Sequence, residues 1–202
     1  RFFLDANIIF RLAGINNDDR QETIKSFEKK CNELGIRLCY TDSTYDELLR
    51  VIDQAVKWLK SINNNTMPLD LRNYDVEQND IYNMYVDWCK SPLNSYREIV
   101  DFRTYLLSLI NSTIANMEYI KTTCNYAEDK LEADIASLKS IKDNNPFHKK
   151  HSHIALLTDV KNVHYVDCVR SKNANKGSIF STNDYFITAD HNLIQWAQNN
   201  YS

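Results

Sequence analysis

Four carboxylates stand where a chain of alternating strands and helices can gather them. Asp5 closes the apolar run Phe2-Phe3-Leu4, and Asn7 follows two residues later. Glu47 falls in the first turns of a helix expected after the run Ile36–Tyr40. Asp159 opens a helix expected over residues 159–170, and Asp190 follows the run Tyr185–Thr188. In a parallel sheet the carboxyl ends of the strands lie side by side, so acids far apart in sequence converge at one rim. Two carboxylates about 4 Å apart repel by roughly 4 kcal/mol at an effective dielectric near 20. Without a counter-ion some of them take up protons. A divalent cation removes that penalty, and an all-oxygen set suits Mg²⁺ or Mn²⁺ better than Zn²⁺.

Other chemistries fail on local grounds. The chain has no GxGxxG or GxxxxGK loop to cradle a nucleotide and no GxSxG elbow. A phosphatase-type aspartate nucleophile wants a second acid two residues on, where this chain has Asn7. Asp42 and Asp184 are explained by turns. The segment His148-Lys149-Lys150-His151-Ser152-His153 reads as a solvated connector, with no cysteine or acid nearby to complete a zinc site. Arg170, Lys172 and Lys176 flank the last strand, a position that suits contacts to a nucleic-acid backbone. His164 reads as a packing residue and Cys39 as inert core.

With 202 residues, 43% hydrophobic and 25% charged, the chain has the composition of an ordinary globular protein, long enough for one core with an insertion. A net charge of −3 leaves no global basic field, so any phosphate binding must be local or metal-mediated. Five scattered cysteines without a CxxC pair suit a reduced, cytoplasmic protein. No run approaches the roughly 18 apolar residues of a membrane span.

Helical spacing of Ile24, Phe27, Cys31 and Leu34 ahead of Gly35 predicts a helix ending at that glycine. The run Ile36–Tyr40 predicts a strand, and Thr41-Asp42-Ser43-Thr44 a capping cluster. A second helix is expected from Tyr45 to about Ile62. From about Leu69 to Asn145 the pattern is helical throughout, with no strand expected. Three apolar stripes mark it: Ile81/Tyr85/Trp88/Cys89, Ile99/Phe102/Leu106/Ile110 and Ala127/Leu131/Ile135/Leu138/Ile141. The expected architecture is therefore a three-layer α/β/α domain with a short parallel sheet, formed by residues 1–65 and 146–202. An all-helical insertion over 66–145 divides it.

Four stretches together resemble the PIN-domain nucleases. FLDANIIF is similar to that family's opening LDTN-type motif, and TDSTYDELLRV to its second, a hydroxyl-rich turn and a helix with Glu then Leu. TDVKNVHYV meets its third motif at Asp159, and YFITADHNLIQWA its closing strand and Thr-x-Asp. The likeness covers about 120 residues and omits the helical insertion. It implies that Asp5, Glu47, Asp159 and Asp190 are catalytic and hold Mg²⁺ or Mn²⁺. Asn7 and Thr188 take accessory polar positions, and Ser43 or Thr44 supplies the hydroxyl. In the third motif Asn162, His164 and Tyr165 replace the usual small residues, and Asp167 competes with Asp159 for the role. The activity implied is hydrolysis of RNA phosphodiester bonds, as a toxin-type or RNA-processing endoribonuclease, with an inhibitory or docking protein as a further partner. The alternative is a PIN-like module that binds RNA or protein without catalysis.

Overall fold

The computed structural model describes residues 1–15, 21–63, 76–94, 98–122, 126–144, 153–175 and 183–201. Its elements run β1 (Phe2–Leu4), α1 (Ala6–Leu12), α2 (Gln21–Glu33), β2 (Leu38–Thr41), α3 (Asp42–Asn63), α4 (Val76–Lys90) and α5 (Ile99–Ile114). They continue with β3 (Glu118–Ile120), α6 (Glu128–Asp143), α7 (His153–Asn175), β4 (Tyr185–Ile187) and α8 (His191–Asn200). The described chain is mostly helical around a small sheet, an arrangement compatible with the α/β class.

All strand pairs are parallel, in the order β3-β2-β1-β4. Phe2 is paired with Leu38 on one side and with Tyr185 on the other. The chain leaves β1 toward β2 on one side and returns to it through β4 on the other, so the switch in winding direction falls between β1 and β4. At such a switch the loops beyond the strand ends diverge and leave a crevice.

Strand alternation sorts the core. Leu4 and Leu38 join a large apolar cluster with Ile9, Phe10, Leu48, Ile52, Leu59, Ile81, Phe102 and Leu106. Phe3 and Cys39 point the other way and meet Tyr165 and Val166 of α7. A third cluster joins Ile135 and Leu138 of α6, Leu156 and Val160 of α7, and Leu193 and Trp196 of α8. Gly35, at φ +66°, ends α2 in the left-handed conformation that costs glycine nothing. Among the described residues no helix is long and apolar enough to cross a membrane.

Two expectations are corrected. The stretch read as strandless contains β3, whose Cys39–Glu118, Tyr40–Tyr119 and Thr41–Ile120 register adds an edge to the sheet. Three residues with Tyr119 53% exposed give no alternating apolar signal, and pairing to β2 decides their conformation. The helix expected over residues 159–170 begins at His153 instead and runs on to Asn175. Thr158, the residue before that expected start, lies inside α7 and donates its hydroxyl to the Ile154 carbonyl at 3.0 Å. His148 and His151 of the basic segment, and Lys176, lie outside the described residues.

Candidate metal centre

The three-residue β1 ends on Asp5, which is both the mouth of the strand and the N-cap of α1. Its Oδ1 accepts from the Ala6 amide at 2.8 Å, as a cap does. Its Oδ2 accepts from the Asn7 side-chain amide and the Thr188 hydroxyl, both at 2.6 Å. Asn7 in turn accepts from the Ala189 amide at 3.1 Å, so β1 and β4 are laced together across the switch point. Asn7 and Thr188 thus arrive at the site and fix the Asp5 carboxylate.

Glu47 and Asp159 come to the same place. Each of Asp5, Glu47 and Asp159 offers one carboxylate oxygen to a group whose members all lie within 4.8 Å of one another. Asp159 reaches it from the second turn of α7, so the dipole of that helix's N-terminus is not what explains the residue. Three positions along α7, the buried Asn162 amide ties three elements together beneath the acids. It accepts from Thr41 Oγ1 at 2.6 Å and donates to Thr44 Oγ1 at 3.1 Å. Of the two candidate hydroxyls Ser43 and Thr44, Thr44 enters this network; Ser43 gives its backbone amide to Asp42. Asp42 also takes the amide and hydroxyl of Thr122, which accounts for it as a loop anchor. Asp184, read as a turn residue, is buried in an ion pair with the Arg1 guanidinium.

Asp190 stands beside this group and not within it. Its Oδ1 caps α8 through the Asn192 and Leu193 amides, at 2.9 and 3.1 Å. Its Oδ2 lies 2.8 Å from the ammonium of Lys142, which also reaches Asp159 Oδ2 at 2.7 Å. Asp167, half-buried further along α7, acts electrostatically on Tyr201 and does not join the acids. The side chain of Lys172 lies outside the described residues.

Electrostatics at the site follow from burial. Burial first, and the Asp159 charge second, push the Asp5 carboxyl up to about 7 against the help of Thr188 and Ala6. Burial raises Glu47 well above the usual carboxylate range, with Asp159 and Asp5 adding to it. Asp159 is raised by burial, and Lys142 offsets part of that. For Asp190 burial pulls upward too, but Lys142 and the α8 amides outweigh it and hold it below its ordinary value. Lys142 is itself raised, because its two carboxylate partners outweigh its desolvation.

Two cations that the sequence motifs do not mark also reach the acids. Arg50, one helical turn after Glu47, approaches Glu47 Oε1 at 3.5 Å. Lys142 is 2% exposed at the end of α6. Its signal was present: Leu131, Ile135, Leu138 and Lys142 fall at helical spacing, so a lysine continues an apolar stripe where it must find acids or not be buried. Cys39 is buried, with its thiol pushed up to about 11 by burial, as an inert core residue should be.

The oxygen donors of Asp5, Glu47 and Asp159 fit a hard divalent cation. Glu47 Oε2 is the sharpest test of that fit: it is buried and has no hydrogen-bond partner among the described residues. A desolvated carboxylate oxygen left this way costs free energy that a cation or a proton recovers. No family model matches the chain, and comparison with curated proteins and with solved structures likewise gives no match.

Proposed function

We propose that the chain is a metal-dependent ribonuclease of the PIN-like kind, its helices and sheet ordered as that family's three-layer core. The observation that carries this reading is the meeting of Asp5, Glu47 and Asp159 at the carboxyl ends of parallel strands, with the Glu47 Oε2 atom unpartnered. These three residues would hold Mg²⁺ or Mn²⁺. Such an ion supplies Lewis-acid activation of water and charge stabilisation at the phosphodiester.

The chain's own groups do the rest. Thr188 and Asn7 hold the Asp5 carboxylate in one orientation, an arrangement that limits reorganisation when charge develops. Lys142 fixes Asp159 and Asp190 relative to each other. Arg50 orients Glu47 and presents a guanidinium at the edge of the acids, where a phosphate oxygen accepts well. Glu47, which burial first and the charges of Asp159 and Asp5 second push toward its protonated form, would shed that proton on holding the ion.

The test is cleavage of single-stranded RNA with Mn²⁺, Mg²⁺ or EDTA, by the parent and by Asp5→Asn and Glu47→Gln. Metal-dependent cleavage lost in both variants, with the fold intact by circular dichroism, supports the enzyme. One observation favours the second reading, a binding module without catalysis: Lys142 already neutralises part of the acidic cluster. RNA bound by the parent with no cleavage under any metal condition would decide for it.

A further inference from the structure

Lys142 sits where its charge has a specific use. The ammonium is buried, equidistant from Asp159 Oδ2 and Asp190 Oδ2 at 2.7 and 2.8 Å, and delivered by α6, outside every stretch that resembles a nuclease motif. Phosphodiester-cleaving sites with two metal ions hold them about 3.5–4 Å apart and share a carboxylate between them. Here Asp159 is the shared carboxylate. It belongs to the group with Asp5 and Glu47, and it also receives the lysine.

Charge counting points the same way. Fully ionised, as an ion would require, the carboxylates of Asp5, Glu47, Asp159 and Asp190 carry four negative charges, and Lys142 and Arg50 return two. The remainder, −2, equals the charge of one divalent ion and not two. A cluster buried this deeply tolerates little uncompensated charge of either sign.

We propose that Lys142 is the built-in second cation of the site, so that the protein binds a single divalent ion at Asp5, Glu47 and Asp159 and leaves Asp190 to the lysine. This rests on the metal-dependent reading above, and it adds a prediction that reading does not make. A lysine is a fixed single charge that neither exchanges nor needs to be captured from solution. A one-ion site of this construction depends on free metal to the first power instead of the second.

The experiment is Mn²⁺ titration of the full chain by calorimetry and electron paramagnetic resonance, on the parent, Lys142→Arg and Lys142→Met. The expected result is one Mn²⁺ with an isolated-ion spectrum for the parent and Lys142→Arg, and two spin-coupled ions for Lys142→Met. Two coupled ions in the parent would overturn the proposal while leaving the nuclease reading standing. A folded Lys142→Met protein that still binds one ion would overturn it as well. No Mn²⁺ bound by the parent would sink the metal-dependent reading and this proposal with it. Should Lys142→Met fail to fold, Lys142→Gln takes its place, with two coupled ions expected and a single ion overturning the proposal.

Discussion

At the scale of single residues, the site holds more negative charge than its surroundings want in the metal-free state. Glu47 shows the conflict best, with one oxygen against Arg50 and the other buried without a partner. Replacing Glu47 by Gln removes a desolvated charge among like charges while keeping the shape. In EDTA at pH 8 the variant should be more stable than the parent by about 1–3 kcal/mol in urea denaturation, the range for relieving an unsatisfied buried group. In Mn²⁺ the order should reverse, because the variant has lost a ligand. Thr188→Val is the complementary case. Its hydroxyl bonds Asp5 without joining the acid group, so its loss should weaken Mn²⁺ binding by about 10–100-fold, as for other partners of a ligating carboxylate, and leave the ion count unchanged. Equal Mn²⁺ affinities in parent and Thr188→Val would contradict the role given to that hydroxyl.

Among the elements, α7 does the most positioning, since it carries Asp159 and Asn162 on the face that meets the strand ends. Asn162→Ala leaves the buried hydroxyls of Thr41 and Thr44 without their amide, and should cost about 1–3 kcal/mol of stability. Thr158→Ala should stay within about 0.5 kcal/mol, because its hydroxyl back-bonds inside the helix; a true cap would lose about 1 kcal/mol. Legibility in the sequence follows the same physics. The strands β1, β2 and β4 and the acids Asp5 and Asp190 that end two of them were readable, because buried apolar runs closed by a carboxylate leave a local signature. Glu47 was readable from the hydroxyl cluster and the helix behind it. The strand β3 was not, since Glu118-Tyr119-Ile120 becomes a strand only by pairing with β2. The start of α7 was misplaced because Thr158-Asp159 mimics a cap, while Ile154, Leu156 and Leu157 already continue the helical spacing upstream. Lys142 is hidden in the sequence because its neighbour Ile141 also fits the stripe, and in the fold Ile141 packs half-buried against the apolar cluster while Lys142 is buried against the acids.

For the whole molecule, the buried acids make stability depend on pH in a direction opposite to that of most salt-bridged carboxylates. Asp5 titrates near 7 in the folded protein and near 3.8 when exposed, so between those values the folded chain binds more protons than the unfolded one. Its contribution is therefore complete below about pH 4 and declines as pH rises through 7, by no more than about 4 kcal/mol. Asp190 works the other way, since its depressed value makes the Lys142 pair stabilising above about pH 4 and lost below it. The metal-free protein should consequently lose stability between pH 5 and pH 8, and Asp5→Asn should flatten that slope. A divalent ion displaces the proton that the cluster would otherwise hold, so added Mn²⁺ should raise the melting temperature at pH 8 far more than at pH 5. At a free concentration one hundred times its dissociation constant the ion should contribute about 2.7 kcal/mol at the higher pH. Differential scanning calorimetry of the parent and Asp5→Asn, in EDTA and in Mn²⁺ at both pH values, measures all of these quantities. A metal effect of the same size at pH 5 and pH 8 would mean that the ion binds somewhere other than these acids.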